Sequence, residues 1–69
     1  MRRHEIVESL KKQSSGDFVT RKGVQYALGY KDPHSVDQYL VGLEYLPGKR
    51  YSISDVADAI MRKVERRNV

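Results

Sequence analysis

The charged residues of this chain fall into blocks. Residues 1–31 carry seven Lys or Arg against three Asp or Glu, residues 32–48 carry none against three, and residues 49–69 carry six against three. The net charge of +4 favours anionic partners. Its placement raises a geometric question: whether Arg21, Lys22, Lys49 and Arg50 converge around the segment beginning at Pro33, or simply solvate separate faces. Other reactive side chains point away from catalysis. Ser14, Ser15, Ser52 and Ser54 stand where turns and helix caps use hydroxyls. There is no pairing of carboxylates and base at a telling spacing, and no Gly-rich phosphate loop. His4 and His34 are far apart and cysteine is absent, so neither a thiolate zinc site nor a disulfide framework is available. No enzymatic activity, metal, cofactor or small-molecule ligand is expected. Tyr26, Tyr30, Tyr39, Tyr45 and Tyr51 could stack on bases or close a small core.

The elements that must position these groups follow from apolar spacing and punctuation. Residues 2–12 read as a first helix, with Ile6, Val7 and Leu10 on one narrow stripe. A polar loop, Gln13-Ser14-Ser15-Gly16-Asp17, leads to a short extended pair, Phe18-Val19. Thr20 fits an N-cap, and Val19 with Val24 fits a hydrophobic staple. A second helix runs from about Arg21 to Leu28 with Val24, Ala27 and Leu28 inward, and Gly29 ends it in the left-handed conformation. Asp32-Pro33 opens a third helix. Val36, Tyr39, Leu40 and Leu43 share its inner face, while His34, Gln38 and Val41 lie opposite, flanked by Ser35 and Asp37. Glu44-Tyr45-Leu46, Pro47-Gly48-Lys49 and Arg50-Tyr51 read as a small hairpin. Ser52 and Asp55 resemble a capping box, with Tyr51 and Val56 as a second staple. The last helix, about Ile53 to Arg66, carries Val56, Ala57, Ile60, Met61 and Val64 inward. Its basic end, Arg62-Lys63-Val64-Glu65-Arg66-Arg67, suits the helix dipole.

This order is that of a small winged helix-turn-helix: a mainly α domain with a two-stranded hairpin wing and an additional N-terminal helix. The stretch TRKGVQYALGY…HSVDQYLVGLEYLPGKRYSISDVADAI resembles the DNA-binding domain of MerR-type regulators and of phage or transposon excisionases, over roughly residues 18–61. The most telling piece is Gly48-Lys49-Arg50-Tyr51-Ser52-Ile53-Ser54-Asp55-Val56. There a basic wing leads through an Arg-aromatic pair and a capping Ser into a helix with Asp near its start. The resemblance implies that the third helix enters the major groove, with His34, Ser35 and Gln38 near base edges or phosphates. It implies that Lys49 and Arg50 sit on the wing beside a minor groove or phosphate, and that Arg21, Lys22 and the free amides of the second helix hold the backbone. Lys31, in the turn before the third helix, belongs to the same DNA-facing set. Asp37 would either accept from cytosine N4 or repel phosphate.

Sixty-nine residues make one domain with a modest core. No apolar run approaches the length of a membrane span. The N-terminal MRRHEIVESL has no uninterrupted apolar stretch and does not read as a secretory signal, so a cytoplasmic protein is expected. The resulting expectation is sequence-specific or architectural binding of double-stranded DNA, as an excisionase-like recombination factor or a small phage or mobile-element transcription regulator. Self-association or a second DNA-bound protein would be a further partner. The rival is a protein-interaction module on the same fold, in which the acidic third helix docks a basic partner.

Overall fold

The structure, a computed structural model, describes residues 2–14 and 16–67, with side chains as far as Lys63. The turn role of Ser15, the inward position of Val64 and the basic side chains of Arg66 and Arg67 therefore lie outside what is described. The chain is mainly α, with a small antiparallel sheet. In order it runs α1 (Arg3–Lys12), β1 (Phe18–Thr20), α2 (Arg21–Leu28), a 3₁₀ turn (Pro33–Val36), α3 (Asp37–Leu40), β2 (Tyr45–Leu46), β3 (Arg50–Ser52) and α4 (Ile53–Arg67).

One core joins the elements. Ile6 and Leu10 of α1 are fully buried, and α1 packs along α4 through Val56, Ala57 and Ile60 of the latter. Val7 and Met61, at the margins of the two stripes, pack against the same cluster half-buried. Ile53 and Ala59 are also buried, which widens the apolar face of α4 beyond the simplest periodic reading. The pairing of α1 with α4 is closed at the surface by Arg3, whose Nε donates to Asp58 at 2.7 Å and whose Nη2 donates to Ser54 at 2.8 Å.

The sheet exceeds the expectation of a two-stranded hairpin with a separate extended pair. Phe18, Val19 and Thr20 form a true strand, and the three-stranded sheet has the order β1-β3-β2. Phe18 pairs with Ser52, Val19 with Tyr51 and Thr20 with Arg50, while Tyr45 and Leu46 pair with Tyr51 and Arg50. Alternation along a strand then divides the side chains. Val19 and Tyr51 face the core, whereas Phe18, Thr20, Leu46 and Arg50 face out. Tyr45 shares the inner side at the sheet edge, its ring tilted against Tyr51 with centroids 5.6 Å apart. The amide of Ile53 donates to the carbonyl of Asp17 at 2.9 Å, tying the start of α4 to the entry of β1.

Local signals set the ends of α2. The Thr20 hydroxyl accepts from the amide of Gly23 at 3.2 Å. At the other end the amides of Gly29 and Tyr30 donate to the carbonyls of Tyr26 and Gln25, with Gly29 at φ 76°, the Schellman arrangement. Gly23 matters for a different reason: a Cβ there would come within 2.6 Å of Val19 Cγ2 and 3.4 Å of the Gln13 carbonyl. The first turn of α2 can lie this close to β1 and to the end of α1 only because the residue is glycine.

The third helix is shorter and tighter than its apolar spacing suggests. Asp32 caps it as expected, accepting from the His34 amide at 2.9 Å, with Pro33 in the first position. The first turn is 3₁₀, however, and the α-helical part ends at Leu40. Val41 has left the helix with ψ at 128°, and Gly42 takes φ +84°. Val36, Tyr39 and Leu40 are buried as expected, whereas Leu43 reaches the core from the turn that follows. The Ser52 half of the capping box on α4 is present, its hydroxyl accepting from the Asp55 amide at 3.5 Å.

Candidate functional site

Arg21 is the first residue of α2, held there by the Thr20 cap. Its guanidinium reaches across to the 33–40 segment. Nε donates to Asp37 Oδ1 at 2.7 Å and Nη2 to Asp37 Oδ2 at 2.8 Å, a two-pronged match of fork and carboxylate. Nη2 also lies 2.8 Å from His34 Nδ1, and His34 Nδ1 is 3.6 Å from Asp37 Oδ2. The hydrogen bonds from Arg21 hold the Asp37 carboxyl below its ordinary value; desolvation opposes this and the charge of Arg21 reinforces it. The same pair raises Arg21 above its ordinary value. Both oxygens of Asp37 are thus engaged and its charge is matched inside the molecule. Arg21 and His34, expected as separate contacts, are parts of one cluster, and Asp37 is its centre.

The remaining expected residues of the third helix lie on its outer side. Gln38 is exposed, and its Nε2 donates to the Ser35 carbonyl at 3.1 Å. Ser35 is half-buried. Gln38 also borders a groove lined by Val41, Arg62 and Lys63, so the start of the basic stretch on α4 comes beside the end of α3. Lys31 stands exposed in the preceding turn. That turn is anchored from beneath by buried Gln25, whose Nε2 donates to the Tyr30 carbonyl at 3.1 Å, and by the Tyr30 and Tyr39 hydroxyls, 3.0 Å apart.

Lys49 and Arg50 flank the hairpin turn. Lys49 sits at φ 55°, beside Gly48 at φ 86°. A lysine in the left-handed region costs about 1–2 kcal/mol relative to glycine, and the side chain is exposed at the tip. Arg50 pairs with Thr20, the residue before Arg21, so the backbones that carry Arg21, Lys22 and Arg50 meet at one end of the sheet. Their side chains then part: Arg21 turns to Asp37, whereas Arg50 lies over the outer sheet face in a depression shared with Lys12, Gln13, Phe18 and Thr20. Among the described residues Lys22, Lys31, Lys49 and Arg50 make no ion pair.

Sequence reasoning missed one partnership and two participants. Asp37 has a partner sixteen positions away, beyond any local spacing rule. Lys12 joins Arg50 only because β1 enters the sheet, and Phe18, read only as part of a short extended apolar pair, is 41% exposed beside them.

The chain matches no family model, no curated protein and no solved structure. Among the described residues no helix is long and apolar enough to cross a membrane, and no group of His, Asp and Glu side chains is placed to hold a metal ion.

Proposed function

We propose that this chain binds double-stranded DNA as a small winged helix-turn-helix domain, similar to those of MerR-type regulators and excisionases. α2 and the 33–40 segment would be the helix-turn-helix, and the β2–β3 hairpin the wing. The observation that carries the reading is the Arg21–Asp37 fork together with the Thr20–Arg50 pairing. The first fixes the 33–40 segment against α2 with His34 and Gln38 outermost; the second brings the base of the hairpin to the start of α2. Among the described residues Lys22, Lys31, Lys49 and Arg50 make no ion pair; Arg50 lies over the outer sheet face, away from the side to which Arg21 turns, so a duplex would have to meet the cations along the edge where α2 and the hairpin base join.

The division of labour follows from charge. The outer side of the 33–40 segment presents polar groups and no free cation, which suits contacts to base edges. The cations on the flanking elements suit phosphates. The function is an architectural or regulatory one, as an excisionase-like recombination factor or a small transcription regulator, and one short reading segment calls for paired or repeated sites. The rival, an acidic third helix docking a basic protein, is disfavoured because the Asp32 and Asp37 carboxylates already accept hydrogen bonds within the chain.

The test is a titration of labelled duplex DNA at several salt concentrations. Log affinity should fall linearly with log salt, and Lys49→Ala and Arg50→Ala should each lower the slope by about one. Absence of duplex affinity at low salt would overturn the reading.

A further inference from the structure

The contact between Arg21 and His34 fixes a proton. A guanidinium nitrogen has hydrogens to donate and no lone pair to accept with, and arginine stays protonated throughout the working pH range. At 2.8 Å from Arg21 Nη2, His34 Nδ1 must therefore be the acceptor. The ring is then neutral, with its hydrogen on Nε2. His34 is highly exposed, its side chain at 79%, so the Nε2–H is available as a donor. Asp37 keeps the guanidinium in place by holding both prongs of the fork, and Asp32 holds the backbone of His34 through its amide.

We infer that Arg21 and Asp37 are positioning residues that lock His34 as its Nε2–H tautomer, presetting a single donor for an unprotonated acceptor on the bound duplex. The acceptor is a purine N7 in the major groove or a phosphate oxygen; both lack a hydrogen and both suit one N–H donor. This rests on the DNA-binding reading for its ligand, but the tautomer does not.

Protonation of His34 would place a second hydrogen against Arg21 Nη2, donor facing donor. The ring would have to swing, and Asp37 Oδ2, 3.6 Å away, is the acceptor in reach. The charged groups shown in contact with His34 are Arg21 from α2 and Asp37 from α3 at the ring, and Asp32 from the preceding turn at its backbone amide. Tyr51 of β3 lies close enough to act on Arg21.

The tautomer can be read without any ligand, from the nitrogen chemical shifts and two- and three-bond couplings of the His34 ring in labelled protein at pH 8. The wild type should give the Nε2–H pattern. Arg21→Gln and Asp37→Asn, checked for folding by circular dichroism and amide spectra, should give a ring averaged over both tautomers. A wild-type ring carrying its hydrogen on Nδ1, or averaging as freely as in Arg21→Gln, overturns the inference whatever the protein binds. With duplex DNA, His34→Ala should lose about tenfold in affinity, the worth of one hydrogen bond to a ligand. Arg21→Gln should lose a similar factor, and the double variant no more than either alone; additive losses overturn the coupling. A purine N7 as acceptor predicts that 7-deazapurine substitution in the duplex removes the His34-dependent factor, whereas a phosphate acceptor predicts that methylphosphonate linkages do so. A factor that survives both substitutions overturns the donor role. A wild type with the Nε2–H ring and no duplex affinity contradicts the DNA-binding reading, and with it the ligand named here, while leaving the positioning by Arg21 and Asp37 intact.

Discussion

Two arginines of this chain make similar ion pairs with different consequences. Arg3 bonds Asp58 and Ser54 across a helix pair that Ile6, Leu10, Val56 and Ile60 already hold together through complete or nearly complete burial. Arg21 bonds Asp37 across a junction whose far side buries Val36, Tyr39 and Leu40 but consists of only a 3₁₀ turn and one turn of α-helix. The α1–α4 region would keep its shape without its arginine. The 33–40 segment, two short helical pieces without a long helix to hold their direction, should depend on its arginine for orientation. An ion pair at an exposed surface contributes little to global stability; where the element is short, it can still decide which way a segment faces.

The largest effect should come from attacking the apolar side of this contrast. Leu10→Ala removes a fully buried side chain shared by α1 and its neighbours, and should cost about 2–5 kcal/mol in urea unfolding, enough to threaten folding of so small a domain. Gly23→Ala should come next. The added methyl meets Val19 Cγ2, a stiff β-branched side chain in the core, at a cost of about 1–3 kcal/mol for overpacking, offset in part by about 1 kcal/mol of helix propensity. A variant more stable than wild type in thermal melts would show that α2 can slide away from β1.

Below these stands Asp37→Asn, expected to lower the melting midpoint modestly while selectively weakening amide exchange protection in residues 33–40. The pH dependence has a definite sign. Arg21 depresses the Asp37 carboxyl in the folded chain, so its contribution is fully present above the unfolded carboxylate value of about 3.9 and is lost as pH falls through the lower folded value. The stability difference between wild type and Asp37→Asn should therefore be present above the unfolded carboxylate value and close in acid. Smallest of all, Arg3→Ala should leave the unfolding midpoint and the exchange protection of α1 and α4 nearly unchanged, since both partners are about half exposed. A larger loss there than for Asp37→Asn would reverse the comparison.

The same contrast explains what could be read from the sequence. Thr20, Gly29, Asp32 and Pro33 act within a few positions of themselves, so the ends of α2 and the opening of the third helix were legible from residue type and spacing. The buried stripes of α1 and α4 were legible from period. The third helix stops at Leu40 although Leu43 continues its apolar spacing, because Val41 and Gly42 leave helical backbone geometry and Leu43 reaches the core from a turn instead. The strand at Phe18–Thr20, the meeting of Lys12 with Arg50 and the Arg21–Asp37–His34 cluster all depend on partners distant in sequence. Residue pattern identified the participants Arg21, His34 and Asp37 individually, but only the folded chain joins them. The mainly α class and the order of helices were thus open to inspection of residues; the third strand and the internal chemistry of the candidate site were not.

The most direct test of the account is amide chemical-shift mapping of labelled protein titrated with duplex DNA at low salt. Perturbations should cluster at residues 21–22, 34–38 and 49–50, with those at the hairpin fading first as salt is raised. Perturbations confined to residues 2–12 would contradict it.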